Sequence, residues 1–249
     1  MTITIIFGNG GLGRAVEAAL RARSDTAASA AHARLLGRPP SGRHAPVDLA
    51  GADLLVEASR ADAVAANLAA GLEAGARRAV LATTGWQADR PRVEALLREY
   101  GAAAVAASNF SLGVVLFGRL VEAAVELFGP IEAFDPYLVE WHRRAKPDRP
   151  SGTAIDLTRR IVAGHPRLAG PADLEVASVR AGASPGMHLV GFDAAGETVE
   201  LRLTARDRSA YAAGILAAGD WLARAPRAPG LHPFDPIVDE LLARVPTAA

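Results

Sequence analysis

The sequence contains no cysteine, which excludes disulfides, thiolate metal sites and a cysteine nucleophile. Its 27 basic and 27 acidic residues give a formal net charge of zero, so nothing indicates a nucleic-acid or anionic-membrane partner. No apolar run reaches the roughly 18 residues that a membrane-spanning helix needs. The 6 histidines show no paired metal-binding spacing. We therefore predict a cytoplasmic protein without a metal site.

The first residues carry a pattern typical of dinucleotide-binding proteins. Residues 2–7 are largely β-branched and apolar, as expected for a strand buried on both faces, and residues 14–21 have helical periodicity. The connection between them has the G-x-G-x-x-G spacing that lets a backbone turn tightly and approach a pyrophosphate. A plain glycine-rich turn is the alternative. The predicted cofactor contacts are Gly8, Asn9, Gly10, Gly11, Leu12 and Gly13.

The second strand bears on the choice between NADPH and NADH. We place it at residues 26–33, and no acidic residue follows it to hold a ribose 2′-hydroxyl. Cations stand there instead, which favours a 2′-phosphate and hence NADPH, although NADH remains open. We select Arg34 as the phosphate ligand and interpret Arg38 and Arg43 as part of a solvated loop.

Three further predicted strands end in, or are followed by, polar or small residues. Residues 53–59 and 79–82 are predicted strands, and residues 103–106 form another. Ligands of open parallel sheets gather at the carboxyl ends of the strands. Ala82, Thr83 and Thr84 stand at such an end, whereas the segment Ala107, Ser108, Asn109 and Phe110, taken alone, would indicate an ordinary loop.

Residues 139–154 form the most highly charged stretch of the chain. Five cationic or titratable side chains precede the proline at 150, namely His142, Arg143, Arg144, Lys146 and Arg149. Ser151 is a suitable N-cap for the helix that follows, and the free N–H groups of a helix start attract anions. This pattern predicts a site for a small anionic molecule, with His142 and Lys146 able to donate protons. A solvated loop before an ordinary capped helix is the alternative.

The remaining pattern indicates a second domain. A helix at residues 112–128 leads to a strand at 131–139, and strands at 176–180, 187–192 and 197–205 follow one another with glycine turns. Such a succession favours a mixed or antiparallel sheet. A helix at 212–223, a proline-rich loop at 226–236 and a closing helix at 237–245 complete the chain.

The predicted fold class is α/β. A Rossmann-like, doubly wound parallel sheet domain comprises residues 1–113 and 211–249. An α+β domain with a mixed or antiparallel sheet is predicted at residues 114–210, and we expect it to bind the substrate.

The charged stretch resembles the signature of the 4-hydroxy-tetrahydrodipicolinate reductase (dihydrodipicolinate reductase) family. The shared residues are Glu140, His142, Lys146, Asp148, and Pro150 through Ala154. Arg143 stands where the family has a second histidine, and Arg149 where it has alanine. Further resemblances cover residues 82–85, 107–114, 178–188 and 205–211, so the likeness runs almost the whole length. The resemblance implies that Ala82, Thr83 and Thr84 line the nicotinamide ribose, and that Ala107, Ser108, Asn109 and Phe110 contact the nicotinamide.

This resemblance implies NAD(P)H-dependent reduction of 4-hydroxy-tetrahydrodipicolinate in lysine and diaminopimelate biosynthesis. It implies His142 as general acid/base and Lys146 as proton donor and electrostatic stabiliser. Ser151, Gly152 and Thr153 would hold a substrate carboxylate, and we expect Arg143 to bind the dicarboxylate substrate as well. The family also implies a homotetramer. Glu140 and Asp148 are interpreted as residues that orient the loop.

Two alternatives stay open at this point. One is a reductase of the same fold that acts on another imine or carbonyl acid. The other is a non-catalytic nucleotide-binding relative, against which the retained pair His142 and Lys146 speaks.

Overall fold

The computed structural model describes residues 2–26, 31–39 and 44–243, and these residues form two compact units. The first unit contains residues 1–112 and 208–249, and the second contains residues 113–207. Arg43 and the last two residues of the predicted closing helix lie outside the described residues. The unit limits fall within three residues of the domain limits drawn from the sequence.

The first unit is built on a six-stranded sheet in the order β10-β5-β4-β3-β1-β2. Every neighbouring pair in this sheet is parallel, so all the carboxyl ends lie at one edge. The strands are β1 (Thr2–Phe7), β2 (Ala31–Leu36), β3 (Leu54–Glu57), β4 (Arg78–Leu81), β5 (Ala103–Ala106) and β10 (Gly230–Pro233).

Helices α1 and α7 of the first unit pack on each other, and so do α3 and α4. The helices are α1 (Gly11–Thr26), α2 (Pro46–Leu49), α3 (Val64–Glu73), α4 (Arg90–Glu99), α7 (Ser209–Arg224) and α8 (Asp235–Leu242). The core of this unit lies between the sheet and its helices. Ile5, Leu55 and Leu81 of the strands pack there with Leu68 of α3 and Val93 of α4. The predicted doubly wound parallel domain is confirmed.

The second unit is a four-stranded sheet in the order β7-β6-β8-β9. Strands β6 and β7 are parallel, whereas β6–β8 and β8–β9 are antiparallel, so the sheet is mixed. Its elements are α5 (Leu112–Phe128), β6 (Asp135–His142), α6 (Gly152–Gly164), β7 (Glu175–Arg180), β8 (Met187–Ala194) and β9 (Glu197–Thr204). Its core joins Val121 and Val125 of α5 to Ile161 of α6 and to Leu138 and Val190 of the sheet.

Three sequence predictions are corrected here. Strand β2 is described at Ala31–Leu36, whereas 26–33 was predicted; Thr26 ends α1, and residues 27–30 lie outside the described residues. Strand β6 lies at Asp135–His142 instead of 131–139. The proline-rich segment 226–236, predicted as loop, contains β10, which pairs with β5. Proline tolerates this place because β10 is the edge strand of its sheet.

Among the helices described, none combines the length and the apolar character needed to cross a membrane.

Candidate active site

The turn after β1 shows why it needs glycine at two positions. Gly8 has φ +106°, and a Cβ there would lie 2.4 Å from the carbonyl oxygen of Ala58. A Cβ on Gly13 would lie 1.8 Å from the oxygen of Gly8. A Cβ on Gly10 would meet nothing within 4 Å, so this face of the backbone is open to a ligand. Helix α1 begins at Gly11, directly after this turn, and the free N–H groups at the start of a helix attract anions.

A cleft of about 400 Å³ adjoins this turn. Besides Leu12, it is lined by the loops after β3 and β4 and by a cation from the start of α7. The guanidinium of Arg208 lies 3.5 Å from the position that a Cβ on Gly11 would occupy, directly over the first turn of α1. The other lining residues are Ala58, Ser59, Arg60, Ala61, Ala82, Thr83 and Thr84.

The loop after β5 is held by its own contacts. Asn109 accepts a hydrogen bond from the N–H of Ser111 at 2.8 Å through its side-chain oxygen. Phe110 is 2 % exposed, and its ring centroid lies 4.9 Å from that of Phe234. The side chain of Phe110 therefore belongs to the core, while Ala107 is half-buried and Ser108 is exposed.

Arg34 lies in the middle of β2, opposite Ile5. Its guanidinium donates to the main-chain oxygens of Asp48 at 3.3 Å and Ala50 at 3.1 Å. The residue that follows the carboxyl end of β2 by two positions is Arg38, which is exposed. Arg38 also helps Arg60 to lower the pKa of Asp62, although the hydrogen bond from Arg60 is the main cause. The shifted strand thus brings Arg38, instead of Arg34, to the edge where cofactors bind.

In the second unit, the carboxylate of Glu140 organises the charged stretch. Glu140 is fully buried on the inner face of β6. Its Oε1 accepts hydrogen bonds from the N–H of Ser151 at 3.0 Å, the hydroxyl of Ser178 at 2.6 Å and the guanidinium of Arg180 at 2.8 Å. Burial raises the pKa of Glu140, but these donors outweigh burial and bring it to about 2. The carboxylate is therefore ionised at neutral pH.

The other oxygen of Glu140 faces two imidazoles. Oε2 lies 3.2 Å from Nδ1 of His142 and 3.8 Å from Nε2 of His188. The two rings are 5.2 Å apart and meet edge to face. Burial lowers the pKa of His142, and Glu140 opposes this effect. Burial lowers the pKa of His188 further, to about 4, so His188 is neutral at pH 7.

These three groups were not predicted to form a metal site, yet their ligand atoms all lie within 4.8 Å of one another. Their surroundings argue for proton chemistry instead. Arg180 donates to the same carboxylate, and Ser151 contacts Nε2 of His188 at 3.1 Å. A metal ion would have to displace the serine and settle beside a buried guanidinium, which is electrostatically costly.

Lys146 lies in the loop after β6 and is paired with Asp148. Its Nζ is 2.7 Å and 2.8 Å from the two carboxylate oxygens of Asp148, and the lysine pairing lowers the pKa of that carboxyl. The side chain of Lys146 is 22 % exposed, so part of it is accessible to solvent. Arg180 also donates to the main-chain oxygen of Asp148 at 2.6 Å and so fixes the loop to the buried carboxylate.

Ser151 begins α6 and faces inward. It is 2 % exposed, its hydroxyl caps the helix by accepting from the N–H of Ala154 at 3.2 Å, and its own N–H is committed to Glu140. Gly152 is exposed and Thr153 half-buried, and the helix itself offers no carbonyl to their N–H groups. Of the predicted trio, Gly152 and Thr153 are therefore open to an anion, and Ser151 holds the helix start in place.

Arg143 and Arg144 lie on a backbone fixed by the neighbouring loop. The N–H of Arg143 donates to the oxygen of Ser184 at 2.7 Å, and that of Arg144 to the oxygen of Gly182 at 3.1 Å. Both side chains are exposed.

Sequence reasoning gave no role to Ser178, Arg180, His188 or Arg208. The first three lie within the stretch 178–188, where the family resemblance was visible. Only the pairing of the strands shows that their side chains converge on the carboxylate of Glu140. Glu140 pairs with Ser178 across β6–β7 and with His188 across β6–β8.

Comparison with known proteins covers the second unit and extends into the first. The family profile described as "Dihydrodipicolinate reductase, C-terminus" matches residues 113–235. A 4-hydroxy-tetrahydrodipicolinate reductase of Archaeoglobus fulgidus is 32% identical over 203 residues, covering 76% of each chain. One from Myxococcus xanthus is 36% identical over 214 residues, covering 76% of this chain and 78% of its own.

Solved structures show the same fold. A dipicolinate-bound dihydrodipicolinate reductase from Paenisporosarcina sp. superposes with a TM-score of 0.67 at 17% identity, over 94% of this chain and 98% of its own. An engineered D-amino acid dehydrogenase bound to NADP+ gives a TM-score of 0.54 at 16% identity, over 98% of this chain and 99% of its own.

Proposed function

The chain belongs to the 4-hydroxy-tetrahydrodipicolinate reductase family, and we propose that its own proton chemistry is carried by His142 and Lys146. It is an NAD(P)H-dependent oxidoreductase of lysine and diaminopimelate biosynthesis, which reduces 4-hydroxy-tetrahydrodipicolinate to tetrahydrodipicolinate. The observation that supports the proposal most directly is the buried contact between Glu140 and His142, because a general acid needs a fixed orientation and a tuned pKa.

Loss of the 4-hydroxyl group as water gives the substrate a conjugated C=C–C=N system, and the reduced nicotinamide, when bound, would supply a hydride to its C4. The protein has to supply a proton to the conjugated C=C–C=N system and to neutralise two carboxylates. Nδ1 of His142 is turned to Glu140, which leaves Nε2 for proton transfer. Gly186 keeps this nitrogen accessible, since a Cβ there would lie 3.0 Å from Nε2.

Lys146 places a second positive charge near the imidazole. Burial is the main cause that lowers the pKa of His142, and the positive charge of Lys146 lowers it further. A cation here stabilises negative charge that develops on the substrate and can pass on a proton. Asp148 holds the ammonium in position through its ion pair.

The substrate carboxylates have two proposed holders. One is the start of α6, where the N–H groups of Gly152 and Thr153 meet the positive end of the helix dipole. The other is Arg143, whose planar fork can bind a carboxylate through two parallel hydrogen bonds. Ser151 contributes indirectly, because it connects the helix start to Glu140 and His188.

We propose that the cofactor binds at the cleft of the first unit. Gly10 leaves its backbone open, and Arg208 places a guanidinium over the first turn of α1, where a diphosphate would find two sources of positive charge. We assign the nucleotide to the turn at residues 8–13, to Ala82, Thr83 and Thr84, and to the backbone at residues 107–110. Arg38 is the proposed ligand of a 2′-phosphate.

The test is oxidation of NADPH and of NADH, followed with freshly generated 4-hydroxy-tetrahydrodipicolinate. We expect turnover, and a fall in kcat of about 10² to 10⁴-fold in His142→Ala with unchanged binding of NADPH. His32→Ala is the matched control, because His32 is exposed at the start of β2, away from the carboxyl ends of the strands. Wild-type rates in His142→Ala would remove His142 from the chemistry. Cofactor binding without turnover in the wild type would point to another imine or carbonyl acid.

The outer face of the second sheet supports a proposal on assembly. Residues of β6 and β7 that point away from the core include Trp141, 39% exposed, and Val179, 41% exposed. An apolar sheet face of this kind is typical of an interface between subunits. We propose that it forms the homotetramer that the family implies. Light scattering should give four chains per particle, and Val179→Lys should reduce that number; a monomeric wild type would contradict the proposal.

We also propose that the protein acts in the cytoplasm, the compartment in which the precursors of amino-acid biosynthesis and reduced nicotinamide cofactors meet. Cell fractionation would test this, and recovery in a membrane or secreted fraction would contradict it.

A further inference from the structure

Strand β3 ends in a buried carboxylate that the reaction does not use. Glu57 is 2 % exposed and follows three buried apolar residues, Leu54 to Val56. An apolar residue would be the ordinary choice here, because a buried charge is costly unless it is hydrogen-bonded. Burial does raise the pKa of Glu57, against the effect of its hydrogen bonds. The free-energy cost of burying this carboxylate suggests that Glu57 has a specific role.

The hydrogen bonds of Glu57 reach three separate segments of the first unit. Ser59, in the loop after β3, donates to Oε1 through its N–H at 2.8 Å and through its hydroxyl. Asn67, on α3, donates to Oε2 at 2.8 Å and to the hydroxyl of Ser59 at 3.2 Å. Thr83, in the loop after β4, donates to Oε1 at 3.2 Å.

The main chain of Glu57 strengthens the same connection. Its carbonyl oxygen accepts from the N–H of Ala82 at 2.8 Å and lies 3.3 Å from the hydroxyl of Thr83. One residue thus binds both loops that line the nucleotide cleft, while neither Glu57 nor Asn67 lines the cleft itself. A group behind a binding surface that fixes two of its loops controls the position of that surface.

We infer that Glu57, with Asn67, is a positioning residue that holds the loops at residues 58–61 and 82–84 in the geometry that binds the nicotinamide nucleotide. The inference rests on the proposed nucleotide cleft and deepens it. It predicts that cofactor affinity depends on the acceptor oxygens of residue 57, whereas affinity for the dicarboxylate substrate does not.

The experiment measures NADPH affinity by the fluorescence of the bound nucleotide, and the Michaelis constant of each substrate, in the intact protein. In Glu57→Leu, which removes both acceptors at similar size, the Kd of NADPH should rise by about tenfold or more. In Glu57→Gln, which retains one acceptor oxygen for Ser59 and Thr83, the rise should stay within about threefold. The Michaelis constant of the dicarboxylate should stay within twofold in both.

Asn67→Ala tests the inference independently if Glu57→Leu fails to fold. It removes the donors to Oε2 and to Ser59 without touching the cleft, and the Kd of NADPH should rise by about threefold or more. Val93→Ala is the stability control, since Val93 is fully buried in the same core, on α4. It should lower the melting temperature and leave the Kd unchanged.

Each outcome has a defined meaning. A Kd within twofold of wild type in both Glu57→Leu and Asn67→Ala overturns the inference. So does a Kd that rises in Val93→Ala as much as in Glu57→Leu at equal loss of melting temperature, because the effect would then be general destabilisation. Failure of the wild type to bind NADPH would instead contradict the proposed cleft.

Discussion

Nδ1 of His142 lies 3.2 Å from Oε2 of Glu140, and both residues are buried on the inner face of β6. The other oxygen of the carboxylate is held by Ser151, Ser178 and Arg180, so the charge cannot turn away from the imidazole. This relationship fixes the imidazole beside a buried, ionised carboxylate, and it makes the first prediction specific.

Replacing Glu140 by glutamine should weaken catalysis through His142. Burial lowers the pKa of His142 and Glu140 opposes it, so loss of the carboxylate charge should lower that pKa further. If protonated His142 is the acid, the rate falls as pH rises through its pKa, and in Glu140→Gln this fall should occur at lower pH. We expect kcat at pH 7 to drop by about tenfold to a hundredfold.

The readout is the pH profile of kcat, with Glu122→Gln as a control carboxylate on α5 whose partner is Arg160. Folding of Glu140→Gln should be verified by circular dichroism, because Arg180 loses its partner. A profile that keeps its wild-type position would show that Glu140 does not act through the imidazole.

Acid should remove the contribution of Glu140 to stability. Its pKa is lowered from 4.5 to about 2 in the folded chain, so the contribution is present above pH 4.5 and is lost as pH falls towards 2. The shift corresponds to about 3 kcal/mol in the free energy of unfolding. Urea unfolding at pH 7, 4.5 and 3 should show a steep loss in the wild type below pH 4.5. A loss of equal size in Glu140→Gln would assign the acid sensitivity to other groups.

Arg143 and Arg144 provide a matched pair for substrate binding. Both are exposed, and the backbone N–H of each is fixed by the loop at residues 182–184. Arg143→Ala should raise the Michaelis constant of the dicarboxylate by about tenfold or more, because a charge-assisted hydrogen bond contributes about 1.5–3 kcal/mol. Arg144→Ala should change it by less than about threefold. Equal effects in the two variants would reduce Arg143 to a general electrostatic contribution.

Arg38 and Arg34 form a second pair, which separates cofactor choice from stability. Arg38→Ala should reduce the preference for NADPH over NADH by about tenfold, since a 2′-phosphate loses a charged partner. In Arg34→Ala the preference should stay constant, because its guanidinium is bonded to the main-chain oxygens of Asp48 and Ala50. Competition between the two cofactors in one assay measures this ratio directly. A change in Arg34→Ala alone would restore the assignment made from the sequence.

The sequence predictions are accurate where burial imposes a clear pattern on an element and inaccurate where it does not. Strands β1 and β5 and helix α5 lie at the predicted residues, because buried parallel strands and amphipathic helices leave a clear pattern. Strand β2 was misplaced by several residues because it is the edge strand of its sheet and carries few buried apolar side chains. That placement led to the choice of Arg34, which lies inside β2.

Strand β6 was misplaced for a different reason. Its inner face runs Leu138, Glu140, His142, so polar residues stand where a strand pattern expects apolar ones. The resemblance identified these residues, but it could not show that Glu140 is shared among three donors and two imidazoles. Contacts between strands distant in sequence, such as those of Ser178 and His188, are outside the reach of any local pattern.

The alternation along β6 carries a consequence for how this chain can change over time. Glu140 and His142 face the core, whereas Trp141 between them faces outward, so the proposed acid/base site and the proposed subunit interface lie on opposite sides of one strand. A single inserted or deleted residue would exchange those sides throughout the strand, turning the imidazole outward and the indole inward. Substitutions can therefore alter one side without the other, but we expect insertions and deletions in β6 to be selected against. A library intended to diversify this enzyme should keep the length of β6 fixed.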